Sequence, residues 1–222
     1  MPKSLKRQLS KPQQWLQYLL LLLCLLYLSI YIPMAGVIYT PFWYKANCNW
    51  HPRCAHFGQI RAAGHIDELA GYMRHTNELT SPAWTKKERW HLAEVRQIFD
   101  RLFLAAIAAA GLLTALFNKA AIKYAALSNI ALMLLLCGVL PFFTVFWRDI
   151  FHGWLFDNAY WKNNPGDVSF YIMPRVFFKH TMMLLIAATG LVNAGSFLAA
   201  AGFRRPFGPK HSGERIVNTG RP

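Results

Sequence analysis

The chain alternates between long apolar stretches and polar, aromatic-rich stretches. Leu16 to Ile38 is a run of 23 mostly apolar residues, enough for about 35 Å of helix at 1.5 Å per residue. Further apolar stretches follow, and the four predicted spans cover about 15–38, 98–118, 122–147 and 176–203. The second is entered through the polar stretch Thr85 to Arg101. Thr85 with Glu88 three residues on is the pattern of a capping box. No proline intervenes before Pro141, so one helix is expected from about Lys86 to Asn118, its first turns standing out of a membrane. Pro33 and Pro141 are expected to kink their spans. The short linker Asn118–Lys123 predicts that spans two and three form a tight antiparallel hairpin. Between the first two spans, Ile66, Leu69, Ala70, Tyr72 and Met73 recur at helical spacing. They predict an amphipathic helix over about 62–79, lying on the bilayer surface as a lid or a plain connector. His65 and His75 on it are expected to be solvated.

The fold expected is therefore an all-α integral membrane protein of four transmembrane helices, forming a single domain over 1–222. A signal peptide would show a shorter apolar core and a small-residue cleavage site, so the first span reads as an uncleaved anchor. Charge then sets the orientation. The net charge of +14 would suit a nucleic-acid partner if it were evenly spread, but it is not. Residues 1–14, 118–123 and 204–222 hold eleven Lys/Arg against one acid, while 39–97 and 148–180 hold twelve against eight. The positive-inside rule puts both termini and the 204–222 tail in the cytoplasm, with loops 39–97 and 148–175 outside. Tyr39, Phe42, Trp43, Tyr44 and Trp50 form an aromatic belt at the outer interface. The tail, rich in Pro and Gly, reads as disordered.

The candidate chemistry is a histidine pair. His91 lies 27 residues before Asn118, and His152 lies 30 residues after Ile122. Along helices these are about 40 and 45 Å from the same turn. Both imidazoles should therefore emerge at one height, roughly 5–15 Å above a hydrocarbon core of about 30 Å. That is where lipid ester carbonyls lie. Read singly, His91 is a surface residue bonded to Glu94 and His152 a member of the aromatic belt; read together they suit acid–base work near neutral pH. His152 and Asp157 also make the His-x-x-x-x-Asp spacing of some glycerolipid acyltransferases, a pattern common by chance. There is no Gly-x-Ser-x-Gly, no His-Glu-x-x-His and no Gly-rich phosphate loop. This favours a transfer in which the substrate brings its own nucleophile.

Cys48 and Cys54 read as a disulfide in an oxidising compartment. A metal site with His51 and His56 is the other reading, but the spacing is not that of a zinc knuckle. Two other classes stay open: a thiol-redox or haem membrane protein, and a non-enzymatic scaffold. The first would need a Cys-x-x-Cys or histidines inside the spans, and the second would leave both histidines replaceable.

The order and spacing of three pieces resemble the lipoprotein intramolecular transacylase (Lit) family of bacterial membrane proteins. They are Glu68-Leu-Ala-Gly-Tyr72; Glu88-Arg-Trp-His-Leu-Ala-Glu-Val-Arg96; and Phe151-His-Gly-Trp-Leu-Phe156 running on through Trp161 and Asp167 to Pro174-Arg-Val-Phe-Phe178. The Cys48/Cys54 pair and the long loop before span two depart from that pattern. The resemblance implies acyl transfer from the glyceryl sn-2 ester of a diacylglyceryl lipoprotein to the α-amine of its N-terminal cysteine, giving the lyso-form lipoprotein. It implies His91 and His152 as catalytic residues, at the outer face of the bacterial cytoplasmic membrane. Glu94, Trp154, Trp161 and Asp167 are the substrate-binding candidates. Membrane lipids are the other expected partners; no cofactor, metal or nucleic acid is expected.

Overall fold

The computed structural model describes residues 10–202, and these residues form helices and loops without strands. The expectations for the 204–222 tail fall outside them. Four helices are long and apolar enough to cross a membrane. Helix α1 (Lys11–Tyr39) opens on Ser10, whose cap is closed by Gln13, and it keeps Pro33 within its length. It is the central helix, packing against α5 (Lys86–Ala115), α6 (Lys119–Leu136) and α10 (Arg175–Ala201). The turn between α5 and α6 is as short as predicted, and Asn118 caps α6 through the amides of Ala120 and Ala121. The two helices do not make the expected tight hairpin, however. Helix α5 packs along α1, and α6 lies against α1 and α10. The Tyr27 hydroxyl donates to the Leu102 carbonyl at 2.6 Å, which joins α5 to α1.

A buried polar knot ties three of these helices together. Asn193 donates to Ser29 Oγ at 3.0 Å and to the Thr189 carbonyl at 2.8 Å, and accepts from Asn129 at 3.0 Å. Thr189 donates to the Ser29 carbonyl at 3.0 Å. In lipid there is no hydrophobic drive between helices, so small and polar contacts of this kind set the packing, at roughly 1 kcal/mol each. Replacing Asn193 by leucine should lower the stability of the detergent-solubilised protein by about 1–2 kcal/mol, read as a shift in its thermal or SDS-induced unfolding. No shift would mean the knot is dispensable.

The third span is not one regular helix. Pro141 has no amide proton, and its ring crowds the carbonyl four residues back. From Cys137 the backbone accordingly tightens into a 3₁₀ segment, Cys137–Phe142. After α7 (Phe143–Val145) it widens into a π-helical turn, Phe146–Phe151, and closes again as α8 (His152–Leu155).

At the end of the bundle remote from the α5–α6 turn, a cap is built from α2 (Phe42–Trp50), α3 (Pro52–Phe57), α4 (Gln59–Met73) and α9 (Val168–Ile172). Cys48 and Cys54 are joined by a disulfide that links α2 to α3. The amphipathic helix expected at 62–79 forms over Gln59–Met73, and its apolar face is not laid on lipid. Ile66, Leu69, Tyr72 and Met73 are buried in one cluster with Tyr44, Trp84, Ile172 and Phe177, because α2, α9 and the following loop cover it. His65, expected in solvent, is buried and contacts Glu68 at 3.4 Å. His75 is exposed and pairs with Asp100 at 2.9 Å. A Cβ at Gly71 would meet Asn77 Oδ1 at 1.6 Å, so a side chain there would have to displace the Asn77 amide.

Loop 74–85 is pinned back on α4 by Glu68. Its carboxylate accepts from the Ser81 amide at 2.9 Å and the Trp84 indole at 2.8 Å. Burial pushes the Glu68 carboxyl up, but these bonds and the His65 contact outweigh it and hold it below the ordinary range. Arg89 adds bonds to the carbonyls of Leu79, Ser81 and Trp84. The loop thus delivers Thr85 in a fixed position to start α5.

Candidate active site

Helix α5 starts as its sequence predicts. The Thr85 hydroxyl accepts from the Glu88 amide, and Glu88 Oε2 accepts from the Thr85 amide at 3.0 Å. Glu88 does more than cap. It is 2% exposed, and its other oxygen accepts from both the amide and the hydroxyl of Ser169, each at 2.7 Å. Asp167 extends the clamp. Also buried, it accepts from Thr85 Oγ1 at 3.0 Å, Lys87 Nζ at 2.6 Å and the Asn164 amide at 2.7 Å. The first turn of α5 is therefore locked to α9 and the loop before it.

One turn further along α5, His91 faces inward. Its ring lies 6.4 Å from that of His152, centroid to centroid. Both line a cavity of about 460 Å³, together with Glu88, Trp147, Trp161 and Ser169. Aromatic rings fix the imidazoles. Phe156 stands edge-on to His91 at 4.7 Å, Trp161 lies 4.3 Å from His152, and Trp147 stands edge-on to His152 at 4.6 Å.

The two imidazoles differ in their second nitrogen. His152 Nδ1 lies 2.6 Å from the Trp147 carbonyl. A carbonyl only accepts, so Nδ1 carries the proton and Nε2 keeps its lone pair. The π-helical turn makes this bond available, since the Trp147 carbonyl pairs five residues on, with the His152 amide. His91 Nδ1 is buried, with the buried Glu94 Oε2 3.6 Å away. Neither atom makes a full hydrogen bond. Glu94 is held by Asn158, which donates to its Oε1 at 2.8 Å.

Both residues stand beyond the apolar part of their spans. His91 lies in the polar first turns of α5, and His152 follows the exposed Arg148–Asp149 ion pair. Burial, with the nearby His152 adding to it, pushes the His91 imidazolium down to about 4. Burial also lowers His152, partly offset by its bond to Trp147. Both rings are therefore neutral at pH 7, the form able to accept a proton. In ¹³C-histidine NMR of the solubilised protein, His91 should still read as neutral imidazole at pH 5.5, where an unperturbed ring is about nine-tenths protonated. A midpoint near 6.5 would contradict the buried placement. The linkage has the same sign. The unfolded ring binds a proton more readily than the folded one, so this histidine costs no stability above pH 6.5 and progressively more as pH falls toward 4.

The other sequence candidates are placed unevenly. Trp161 stands in the cavity wall. Glu94 lies behind His91, outside the lining. Asp167 is taken up by the clamp. Trp154 is 84% exposed and outside the lining; two residues beyond the inward-facing His152, it falls on the opposite side of the helix. Among the described residues no group of His, Cys, Asp and Glu is arranged to hold a metal. The sequence reading missed Ser169 and the inner bond of Glu88. A buried glutamate shared between a cap and a distant loop leaves no local signature.

Four membrane-length helices, with an inward-facing pair of histidines beyond their apolar zone, define a multi-pass membrane protein. The family model for the lipoprotein intramolecular transacylase Lit matches residues 15–178. The fold is similar to that of the membrane integral lipoprotein intramolecular transacylase Lit from Bacillus cereus. The TM-score is 0.73 at 17% identity, over 85% of this chain and 94% of that one. A variant of the same protein, with one histidine replaced by alanine, gives 0.66 at 18%, over 86% and 93%. No curated protein matches the chain in sequence. The chain belongs to the lipoprotein intramolecular transacylase family, and it is an acyltransferase.

Proposed function

We propose that this enzyme moves an acyl chain from the glyceryl sn-2 oxygen of a diacylated lipoprotein to the α-amine of the same N-terminal cysteine. The observation that carries the reading is the pair of inward-facing imidazoles, 6.4 Å apart between ring centroids, over one cavity beside the apolar zone. An α-ammonium, with an ordinary pKa near 7.7–8.0, must lose two protons on the way to an amide, and the departing glyceryl oxygen gains one. His152 Nε2 takes the first and frees the amine. The amine attacks the ester carbonyl while His91 takes the second. The His152 imidazolium then protonates the glyceryl oxygen as its bond to the acyl carbon breaks. The proton left on His91 passes to water. Glu94 beside His91 Nδ1 offsets the charge that develops there. A positioned acid–base group contributes about 10²–10⁴-fold, and holding ester and amine in one molecule adds effective concentration.

The basic residues at 119–123, near the α5–α6 turn, and the disulfide in the cap support an orientation with that turn in the cytoplasm and the site on the outer face of the bacterial cytoplasmic membrane. The test is direct. Purified enzyme in lipid, given a synthetic diacylglyceryl-cysteine peptide with a free amine, should yield an N-acylated, monoacylglyceryl product of unchanged mass. Fragmentation mass spectrometry separates it from the substrate. A peptide left O-diacylated, or one that loses a fatty acid to water, rules the reaction out.

A further inference from the structure

The cavity around the histidine pair is ringed by charge of one sign. Arg53, Arg148, Lys162 and Arg175 line it, and the acid in its wall is Glu88. Both oxygens of Glu88 are occupied by Thr85 and Ser169, so it answers none of them. Arg148 is answered by Asp149 at 2.7 Å. Among the described residues, no carboxylate stands within ion-pair distance of Arg53, Lys162 or Arg175. Arg53 is held in place without being neutralised. Its guanidinium lies 3.8 Å over the Phe170 ring and donates to the Phe170 carbonyl at 3.2 Å. Lys162 Nζ lies over Trp161 at 5.4 Å, the same ring that stands 4.3 Å from His152.

We propose that Arg53, Lys162 and Arg175 form a recognition rim for an acidic side chain in the first residues after the acylated cysteine, making them specificity-determining residues of this transacylase. The inference rests on the reaction proposed above. If the α-amine reaches the histidines, the peptide that follows must leave through the same cavity, past these three cations. A lipid phosphate seated among them would stand in that path, which favours the peptide carboxylate as the partner. The cations also disfavour a charged α-ammonium in the cavity, so the carboxylate restores balance without occupying the amine's position.

The test compares synthetic diacylglyceryl peptides with aspartate, asparagine or lysine after the cysteine, in phosphatidylcholine vesicles. The wild-type enzyme should convert the aspartate peptide about fivefold better in kcat/KM than the asparagine peptide, the size of a partly exposed charge interaction, with the lysine peptide poorest. The ratio should fall toward one in K162Q and R175Q. In the wild type it should also fall as salt is raised, a readout that needs no variant. Equal conversion of all three peptides at every salt overturns the rim and leaves the transacylation intact. If no peptide is converted, the reaction itself falls, and the rim with it. If phosphatidylglycerol vesicles change turnover of the neutral peptide while the aspartate preference is absent, the rim is a headgroup site and the proposal is overturned.

Discussion

Replacing His91 or His152 by alanine is expected to cut formation of N-acylated lipopeptide by about 10²–10⁴-fold. Each imidazole is assigned a proton transfer that water cannot supply at the same rate in a site walled by Trp147, Trp161 and Phe156. The two losses should not add. Without His152 the amine stays protonated, and without His91 the attacking nitrogen keeps its second proton. Either failure stops the same step, so the double variant should be scarcely worse than the single ones. Both variants should remain folded, because the aromatic packing around the pair survives the loss of one ring. Size-exclusion behaviour and helical content of the solubilised protein check this. Wild-type levels of lyso-form product from both single variants would remove the histidines from the mechanism.

Glu88→Ala should have the next largest effect, and on two readouts at once. The carboxylate is buried and accepts from the amides of Thr85 and Ser169 and from the Ser169 hydroxyl, while the Thr85 hydroxyl donates to Asp167. Removing it leaves the Thr85 amide and both Ser169 donors without their acceptor, at about 1–3 kcal/mol for each buried one. The first turn of α5 would then come away from α9, and His91 sits one turn further along that helix. Unfolding temperature and acyl transfer should fall together. Glu88→Gln keeps one accepting oxygen but points an amide toward existing donors, so it should land between wild type and alanine. Thr85→Ala removes the hydroxyl but leaves Ser169 bonded and should be milder. A Glu88→Ala enzyme with full stability and activity would show that the clamp is unnecessary.

What could be read from the sequence depended on whether the signal was local. The spans were legible because lipid demands unbroken apolar helices. Thr85 and Glu88 announced the start of α5 at the correct residue, since a capping box is complete within four positions. The common height of His91 and His152 followed from counting residues along two helices that share one turn, but that their rings face each other did not. That count tolerated the irregular third span, because the 3₁₀ segment lengthens the rise and the π turn shortens it. The cap was harder. The apolar stripe of α4 was visible, but the surface it meets comes from α2, α9 and the 74–85 loop, so lipid and protein could not be told apart as its partner. Glu88 looked like a cap and nothing more, because Ser169 lies 81 residues away. Asp167 resembled a substrate ligand for the same reason, its partners Thr85 and Lys87 being distant in sequence. The Ser29–Asn129–Asn193 knot was hidden within runs that read only as apolar.

The wide turn at Phe146–Phe151 means that the phase of the third span matters as much as its residues. A coil that uses one residue more than usual sets the bearing of everything after it. Were this turn to relax to ordinary pitch with all six residues kept, His152 would be rotated by about 100°. The Trp147 oxygen would then be claimed by the main chain alone, and the imidazole would be aimed away from its counterpart. Silencing this enzyme would thus require no change to either imidazole, only a substitution that lets the turn close to ordinary pitch.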